Sequence, residues 1–139
     1  MANALFDAYV QNRLTNVSGF DLAAVGTNIK LVLVDHGTDT PVPATDDFLA
    51  DIVVGARVAT SGNFANKAVT ARVFDADDVT LTAVAGASVE SIVIYRDTGV
   101  EATSDLIAFI DVATGLPFTP SGGDVTIQWD AGANKIFKL

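Results

Sequence analysis

Residues 29–35 read IKLVLVD, and this stretch decides the fold class. The run consists mostly of β-branched and leucine side chains and ends at an aspartate, which is typical of a strand covered on both faces. A second run of the same kind, SIVIY, begins at Ser91. Two such runs predict a buried sheet, and we expect both of them to be central strands.

Further strand-like segments follow Gly55 at short intervals, separated by glycine-rich or aspartate-rich turns. Turn signals roughly 8 to 12 residues apart are typical of an antiparallel sandwich or barrel. The predicted strands cover residues 56–60, 68–74, 79–84, 91–96, 106–112, 125–129 and 135–139. With residues 29–35 they make about eight strands, so we predict a mainly β fold, an antiparallel β-sandwich of the jelly-roll type. The last two segments, on either side of a turn-rich stretch, are expected to form a hairpin.

The sequence before this sandwich has a helical pattern. Residues 3–14 place Phe6, Val10 and Leu14 at positions i, i+4 and i+8, with Leu5 and Tyr9 beside them. This is the apolar stripe of a short amphipathic helix.

Two further features complete the expected organisation. Residues 36–45 contain two prolines and a glycine and predict an extended loop, after which Thr45 could cap a helical turn over residues 46–52. We expect a single domain, residues 1–139, made of an N-terminal helical arm (1–16) and the β-sandwich (28–139).

Composition excludes several classes of function. The chain has 139 residues and a net charge of −9, with 17 acidic and 8 basic residues, so a nucleic-acid partner is not expected. Cysteine is absent, which excludes disulfides and thiolate metal sites. The mean hydropathy of +0.40 is high, but no apolar stretch reaches the ~20 residues that a membrane span needs. The N-terminal sequence lacks a secretory signal pattern, so we expect synthesis and folding in a cytosol.

Candidate catalytic and metal-binding residues are few. His36 follows Asp35 and could act as a general base, but no nucleophile motif accompanies it, and we interpret it as a solvated loop histidine. Asp75, Asp77 and Asp78 could bind calcium, although the spacing of an EF-hand loop is not present, and a turn between two strands explains them better. No phosphate-binding glycine motif occurs. We therefore expect no enzyme activity, no cofactor and no metal.

Large aromatic side chains occur where loops or strand ends are predicted. Phe64 lies in SGNFANK, Phe118 lies in GLPFTP, and Trp129 ends a predicted strand. Such rings either anchor a loop to the core of their own domain or contact another molecule, and on a carbohydrate-binding module they would form a stacking platform. The candidate interface residues are Leu5, Phe6, Tyr9, Val10, Phe64, Phe118, Trp129 and Phe137.

Several longer segments resemble a family of small structural proteins encoded by tailed phages. The most specific parts are GARVATSG, FDADDVT, IVIYRDTG and TIQWDAGANKIFKL, and the likeness extends over nearly the whole chain. The resemblance implies a β-sandwich capsid cement or decoration protein that binds neighbouring major capsid subunits and itself forms a dimer or trimer on the virion surface. A tail or baseplate component is the alternative that it leaves open. It implies no catalytic residue.

Overall fold

The computed structural model describes residues 2–15 and 21–139, of which only a minority is helical. In chain order the elements are β1 (Ala4–Leu5), α1 (Asp7–Leu14), β2 (Asn28–Val34), β3 (Arg57–Thr60), β4 (Ala68–Thr70), β5 (Val73–Asp75), β6 (Val79–Leu81), β7 (Ser91–Asp97), β8 (Leu106–Ile110), β9 (Val125–Ile127) and β10 (Phe137–Lys138). All the strand pairs among them are antiparallel. The predicted mainly β class with a short N-terminal helix is therefore confirmed.

The main sheet has five strands in the order β1-β8-β7-β2-β3. Strands β2 and β7 pair over seven residues each, from Asn28 opposite Asp97 to Val34 opposite Ser91. Residues 31–34 of β2 are all fully buried, and so are the first five residues of β7. Because consecutive side chains of a strand point to opposite faces, both faces of this sheet are covered. The prediction that these two runs are buried strands is confirmed.

Two smaller sheets pack on the main one. Strands β10, β5 and β4 form a three-stranded sheet in that order, and β6 pairs with β9 alone. Phe74 of β5 and Val79 and Leu81 of β6 belong to the same hydrophobic core as β2, β7 and β8. The layers form a sandwich with one long sheet and a cover of short strands.

The predicted strand 68–74 is in fact a hairpin of β4 and β5. The turn consists of Ala71 and Arg72, whose φ angles are +49° and +70°. A two-residue turn with both φ angles positive normally uses Asn-Gly or a similar pair. The segment carries neither residue, so its sequence shows no turn signal.

The predicted hairpin of residues 125–129 and 135–139 is wrong. Strand β9 pairs with β6, and β10 pairs with β5, so the two segments belong to different sheets. The partner of β9 lies 44 to 48 residues earlier in the sequence, and the partner of β10 lies 63 to 65 residues earlier. Proximity along the chain therefore suggested the wrong partner for both.

The N-terminal segment is integrated into the sandwich. Ala4 and Leu5 form strand β1 on β8 rather than the first turn of a helix. Phe6 then inserts completely into the core, and Tyr9 follows it with 2% of its surface exposed. Leu14 is 81% exposed, so the predicted apolar stripe does not extend to the end of the helix. Residue 16 of the predicted arm lies outside the described residues.

The loop after β2 contains a turn shorter than predicted. A 3-10 turn covers Leu49–Asp51, and the Asp51 carboxylate accepts the amide hydrogens of Asp47 and Phe48, so Thr45 is not its cap. Arg57 at the start of β3 donates to the carbonyls of Leu49 and Ile52. The same guanidinium binds both carboxylate oxygens of Glu101, at 2.7 and 3.1 Å. Arg57 thus joins this turn to the 3-10 turn Glu101–Thr103.

The β4–β5 turn makes a test of the fold possible. Left-handed conformations cost an L-residue roughly 1 to 2 kcal/mol each, and Asn and Gly adopt them more readily. The double variant Ala71→Asn/Arg72→Gly should therefore raise the free energy of unfolding by about 1 kcal/mol, measured by urea denaturation. Ala87→Gly is the control, at an exposed position whose φ is not positive, and it should not stabilise. A double variant no more stable than the parent would contradict the turn conformation.

Candidate binding groove

An open groove of about 810 Å³ lies between the β1–β8 edge of the main sheet and the strands β9 and β10. Three of the strands that border it, β1, β9 and β10, are the outermost strands of their sheets. The lining residues, which define the groove below, are 3–5, 92, 108–110, 113–116, 118, 124–130 and 135–137. The groove therefore lies where all three sheets come close to one another and end.

The hydrophobic core is incompletely covered in this groove. In the part of the chain that the structure describes, thirteen partly buried hydrophobic residues pack against the core, and nine of them line the groove. The nine are Leu5, Ile110, Leu116, Phe118, Val125, Ile127, Trp129, Ile136 and Phe137. Partly exposed core side chains concentrated at one place are typical of a surface that binds another molecule.

The structure divides the eight candidate interface residues into two groups. Leu5, Phe118, Trp129 and Phe137 line the groove together, although they are far apart in sequence. The other four are Phe6, Tyr9 and Phe64, which are buried, and Val10, which is half-buried outside the groove. Phe64 therefore anchors its loop to the core of its own domain, which is the first of the two interpretations given for such rings.

The aromatic rings of the groove are held in place by neighbours. The Phe137 ring lies 5.5 Å from Phe74 and meets Tyr9 edge-on at 6.2 Å. Trp129 contacts Phe64 at 5.6 Å, and its indole nitrogen donates a hydrogen bond to the Asp77 carbonyl. These rings present a preformed apolar surface and need little ordering when a partner binds.

Phe118 is held through its backbone. Its amide and carbonyl exchange two hydrogen bonds with Val89, at 3.1 and 2.8 Å. This bridge ties the loop before β9 to the residues before β7 and holds the backbone of Phe118 in place, and the ring packs against the core.

Five of the nine partly buried hydrophobic residues in the groove were not among the predicted interface residues: Ile110, Leu116, Val125, Ile127 and Ile136. A signal for part of this set was present. The alternation in VTIQW puts Val125, Ile127 and Trp129 on one face of β9, with Thr126 and Gln128 exposed on the other. The sequence did not show that this apolar face would lie at an opening of the core.

The polar groups of the groove lie at its rim. Asp124 accepts the Ala83 amide hydrogen through Oδ1 at 3.0 Å, and Asp130 accepts that of Gly132 through Oδ1 at 3.1 Å. Among the lining residues, Lys135 is the basic one. The rim therefore carries a net negative charge.

The histidine site does not have the geometry of a catalytic centre. The His36 ring is half-buried and stacks on Phe109 with ring centres 6.0 Å apart, so it is not the solvated loop residue that we expected. Its Nε2 lies 2.8 Å from Ser91 Oγ, but Ser91 is fully buried in β7 and out of reach of a substrate. The Glu90 carboxylate accepts the backbone amide hydrogen of His36 rather than a ring hydrogen.

The aspartates after β5 each have a structural partner. Asp77 accepts a hydrogen bond from the Asn66 amide at 2.7 Å, and Asp78 accepts the Trp129 backbone amide hydrogen at 2.9 Å. In residues 2–15 and 21–139, no three acidic or histidine side chains come together as a metal site. These contacts agree with the interpretation of a turn rather than a calcium loop.

The ionisable groups with shifted pKa values lie outside the groove. Burial raises the pKa of Tyr95 to about 12 and lowers the pKa of the Lys67 ammonium, which donates to the Ala24 carbonyl. A hydrogen bond from Lys30 is the main reason why the pKa of Asp97 lies below its ordinary 3.8. None of these residues lines the groove, so their shifts follow from packing and ion pairing in the scaffold.

The comparisons with known proteins leave the family open. No protein-family model matches the chain, and no curated protein matches its sequence. In the part of the chain that the structure describes, no helix has the length and apolar character to cross a membrane.

The Lys30–Asp97 pair gives a prediction for pH dependence. A carboxyl group whose pKa is lower in the folded state stabilises the protein above its unfolded pKa, and the contribution disappears as the pH falls through the folded pKa. Asp97→Asn keeps an oxygen for the Gly99 amide but removes the charge. The variant should be less stable than the parent at pH 6, with the difference shrinking below pH 3.8, the ordinary aspartate value. Urea titrations at several pH values measure this, and a difference independent of pH would contradict it.

Core rings and groove rings should differ in their contribution to stability. Phe64 is 5% exposed, and truncating a buried phenylalanine costs about 3 to 5 kcal/mol. Phe64→Ala should destabilise by that amount, whereas Phe118→Ala should cost about half as much because its ring is already partly in water. Chemical denaturation gives both values, with Phe64→Leu as the milder control. Equal costs for the two alanine variants would show that Phe118 is an ordinary core residue.

Proposed function

We propose that the protein is a non-enzymatic structural protein of a tailed-phage virion, a capsid cement protein that binds across neighbouring major capsid subunits. The resemblance of its sequence to that family supports this assignment. The observation that carries it in the structure is the groove, where nine core hydrophobic residues remain partly exposed. Covering such a surface gains about 25 cal/mol for each Å² of apolar area removed from water.

A second apolar surface supports a bridging role. Val53, Val54 and Val100 are 53%, 69% and 57% exposed and form what we call the valine patch. Val53 and Val54 precede Arg57, and Val100 precedes Glu101. Because the Arg57 guanidinium binds both the Ile52 carbonyl and the Glu101 carboxylate, it links the two segments that carry the valine patch.

The two apolar surfaces involve different parts of the structure. Val53 and Val54 precede β3, and Val100 lies in the loop between β7 and β8, whereas the groove is lined mainly by β1, β8, β9 and β10. No residue of the valine patch lines the groove. One subunit can therefore contact two different capsid subunits, as a cement protein must. We propose that it does so as a dimer or trimer whose subunits contact each other outside the groove.

Carbohydrate binding is less well supported by the geometry. A stacking platform of Trp129, Phe64 and Phe118 would need all three rings exposed together, but Phe64 is buried and lies beneath Trp129. The tail and baseplate remain alternative positions in the virion, because the same two surfaces would serve there.

Particle binding tests the proposal. Purified protein added to phage capsids that lack it should bind and raise the temperature at which the particles release DNA, by mass action on the assembled state. Phe118→Ala in the groove and Val54→Asp in the valine patch should each weaken binding by about tenfold or more, the effect of losing an interface anchor. Dye-based thermal release and cosedimentation measure the two effects.

The chain offers a matched control. Val69 on β4 is 48% exposed and lies outside both surfaces, so Val69→Asp introduces the same charge without affecting the proposed contacts. Each variant must unfold cooperatively before its binding is compared. If the parent protein does not bind capsids, or if Val69→Asp is as harmful as Val54→Asp, the cement role is wrong. Binding to tails instead would move the protein to the alternative position.

A further inference from the structure

The strand edges that border the groove define what it can bind. Among the described residues, β9 has a partner only on the β6 side, and β10 has a partner only on the β5 side. An outermost strand exposes backbone amide and carbonyl groups on its free side, which can pair with a strand from another chain. The groove thus combines free strand edges with an apolar floor.

We propose that the groove accepts an extended polypeptide segment as an additional β-strand, and that this segment has alternating apolar side chains and Lys or Arg near its ends. The proposal rests on the proposed function in one respect, since it assigns the segment to the major capsid protein. Strand addition is an established mode of peptide recognition, in which backbone hydrogen bonds provide affinity and pockets for alternate side chains provide specificity.

The β6–β9 ribbon gives the physical reason for strand addition. A two-stranded ribbon is marginally stable by itself, and three or more strands are needed for an independent sheet. The ribbon consists of three residue pairs, from Val79–Ile127 to Leu81–Val125. A third strand on β9 would extend this small sheet and would cover the apolar floor at the same time.

The length of the segment follows from the groove lining. Residues 124–130 line the groove without interruption, which corresponds to roughly 24 Å of extended chain. A segment of about seven residues would therefore fill it. Because side chains alternate between the two faces of a strand, every second residue would meet Phe118 and Ile127 on the floor, and the residues between them would face water.

The charges at the rim of the groove indicate which side chains the segment carries near its ends. Asp124 and Asp130 are exposed and lie six positions apart, near the two ends of the lining stretch. Asp124 uses Oδ1 for the Ala83 amide and Asp130 uses Oδ1 for the Gly132 amide, and Oδ2 of neither accepts a hydrogen bond from the described residues. These carboxylates can pair with cations at both ends of a bound strand. They also oppose a second copy of this chain, whose net charge is −9.

Peptide selection followed by backbone methylation tests the proposal. A random dodecapeptide display library is panned against the full-length protein, and the enriched peptide is synthesised and titrated by Trp129 fluorescence, Trp129 being the sole tryptophan. N-methylation of alternate residues should weaken binding about tenfold or more, whereas N-methylation of the residues between them should have little effect. This two-residue period is specific to strand pairing.

Paired charge variants test the ends. Asp124→Asn/Asp130→Asn keeps an acceptor oxygen for the Ala83 and Gly132 amides and removes both rim charges, so peptide binding should weaken by about tenfold at low salt and by less at high salt. Asp21→Asn/Asp39→Asn makes the same change of charge outside the groove and should have no effect. A competition experiment, in which the peptide and capsids compete for the protein, then tests whether the segment belongs to the major capsid protein.

The outcomes separate the two proposals. Failure to enrich any peptide, enrichment of peptides with central prolines, or methylation effects without the two-residue period would each overturn the strand proposal, even if the protein binds capsids. A peptide that shows the period but does not compete with capsids would support strand addition and exclude the capsid protein as its source.

Discussion

The structure depends on the seven-residue pairing of β2 with β7 at the centre of the main sheet. Leu31, Val32, Leu33 and Val34 are fully buried, as are the β7 residues Ser91 and Val93. A sheet buried on both faces is stable only if other elements cover both of them. The positions of the N-terminal segment, the small sheets and the loops all follow from that requirement.

Polar groups brought into this buried region are paired. Ser61 accepts the Leu31 amide hydrogen through Oγ at 3.0 Å, on the side of β2 where β3 ends. Ser91 pairs with His36, which explains why a half-buried histidine lies next to an aromatic ring of β8. An unpaired buried polar group would cost about 1 to 3 kcal/mol, so these contacts allow hydroxyl groups inside the core. The need to pair the buried Ser91 hydroxyl group therefore accounts for the position of His36 without a catalytic role.

The sequence predicted the parts of the fold that depend on local pattern. The buried runs at residues 29–35 and 91–96 were identifiable because β-branched residues repeat without a polar face. Ala71 and Arg72 could not be identified as a turn because neither residue type prefers a positive φ. The partners of β9 and β10 depend on packing between distant segments, so the wrong hairpin looked more favourable. For the groove, the sequence favoured Phe118 and Phe64 equally as interface residues, because both rings lie in predicted loops. Only the packing of the core shows that Phe64 is buried and that Phe118 lines the groove.

The groove and the negative charge of the chain have opposite effects on self-association. Nine partly exposed hydrophobic residues in one groove would favour self-association at high protein concentration. A net charge of −9 opposes that association at long range, while contact with a partner of different charge is not opposed. The rim carboxylates of Asp124 and Asp130 place part of this charge at the entrance of the groove itself. Part of the repulsion therefore acts at the groove itself, which favours a partner whose charge is not negative.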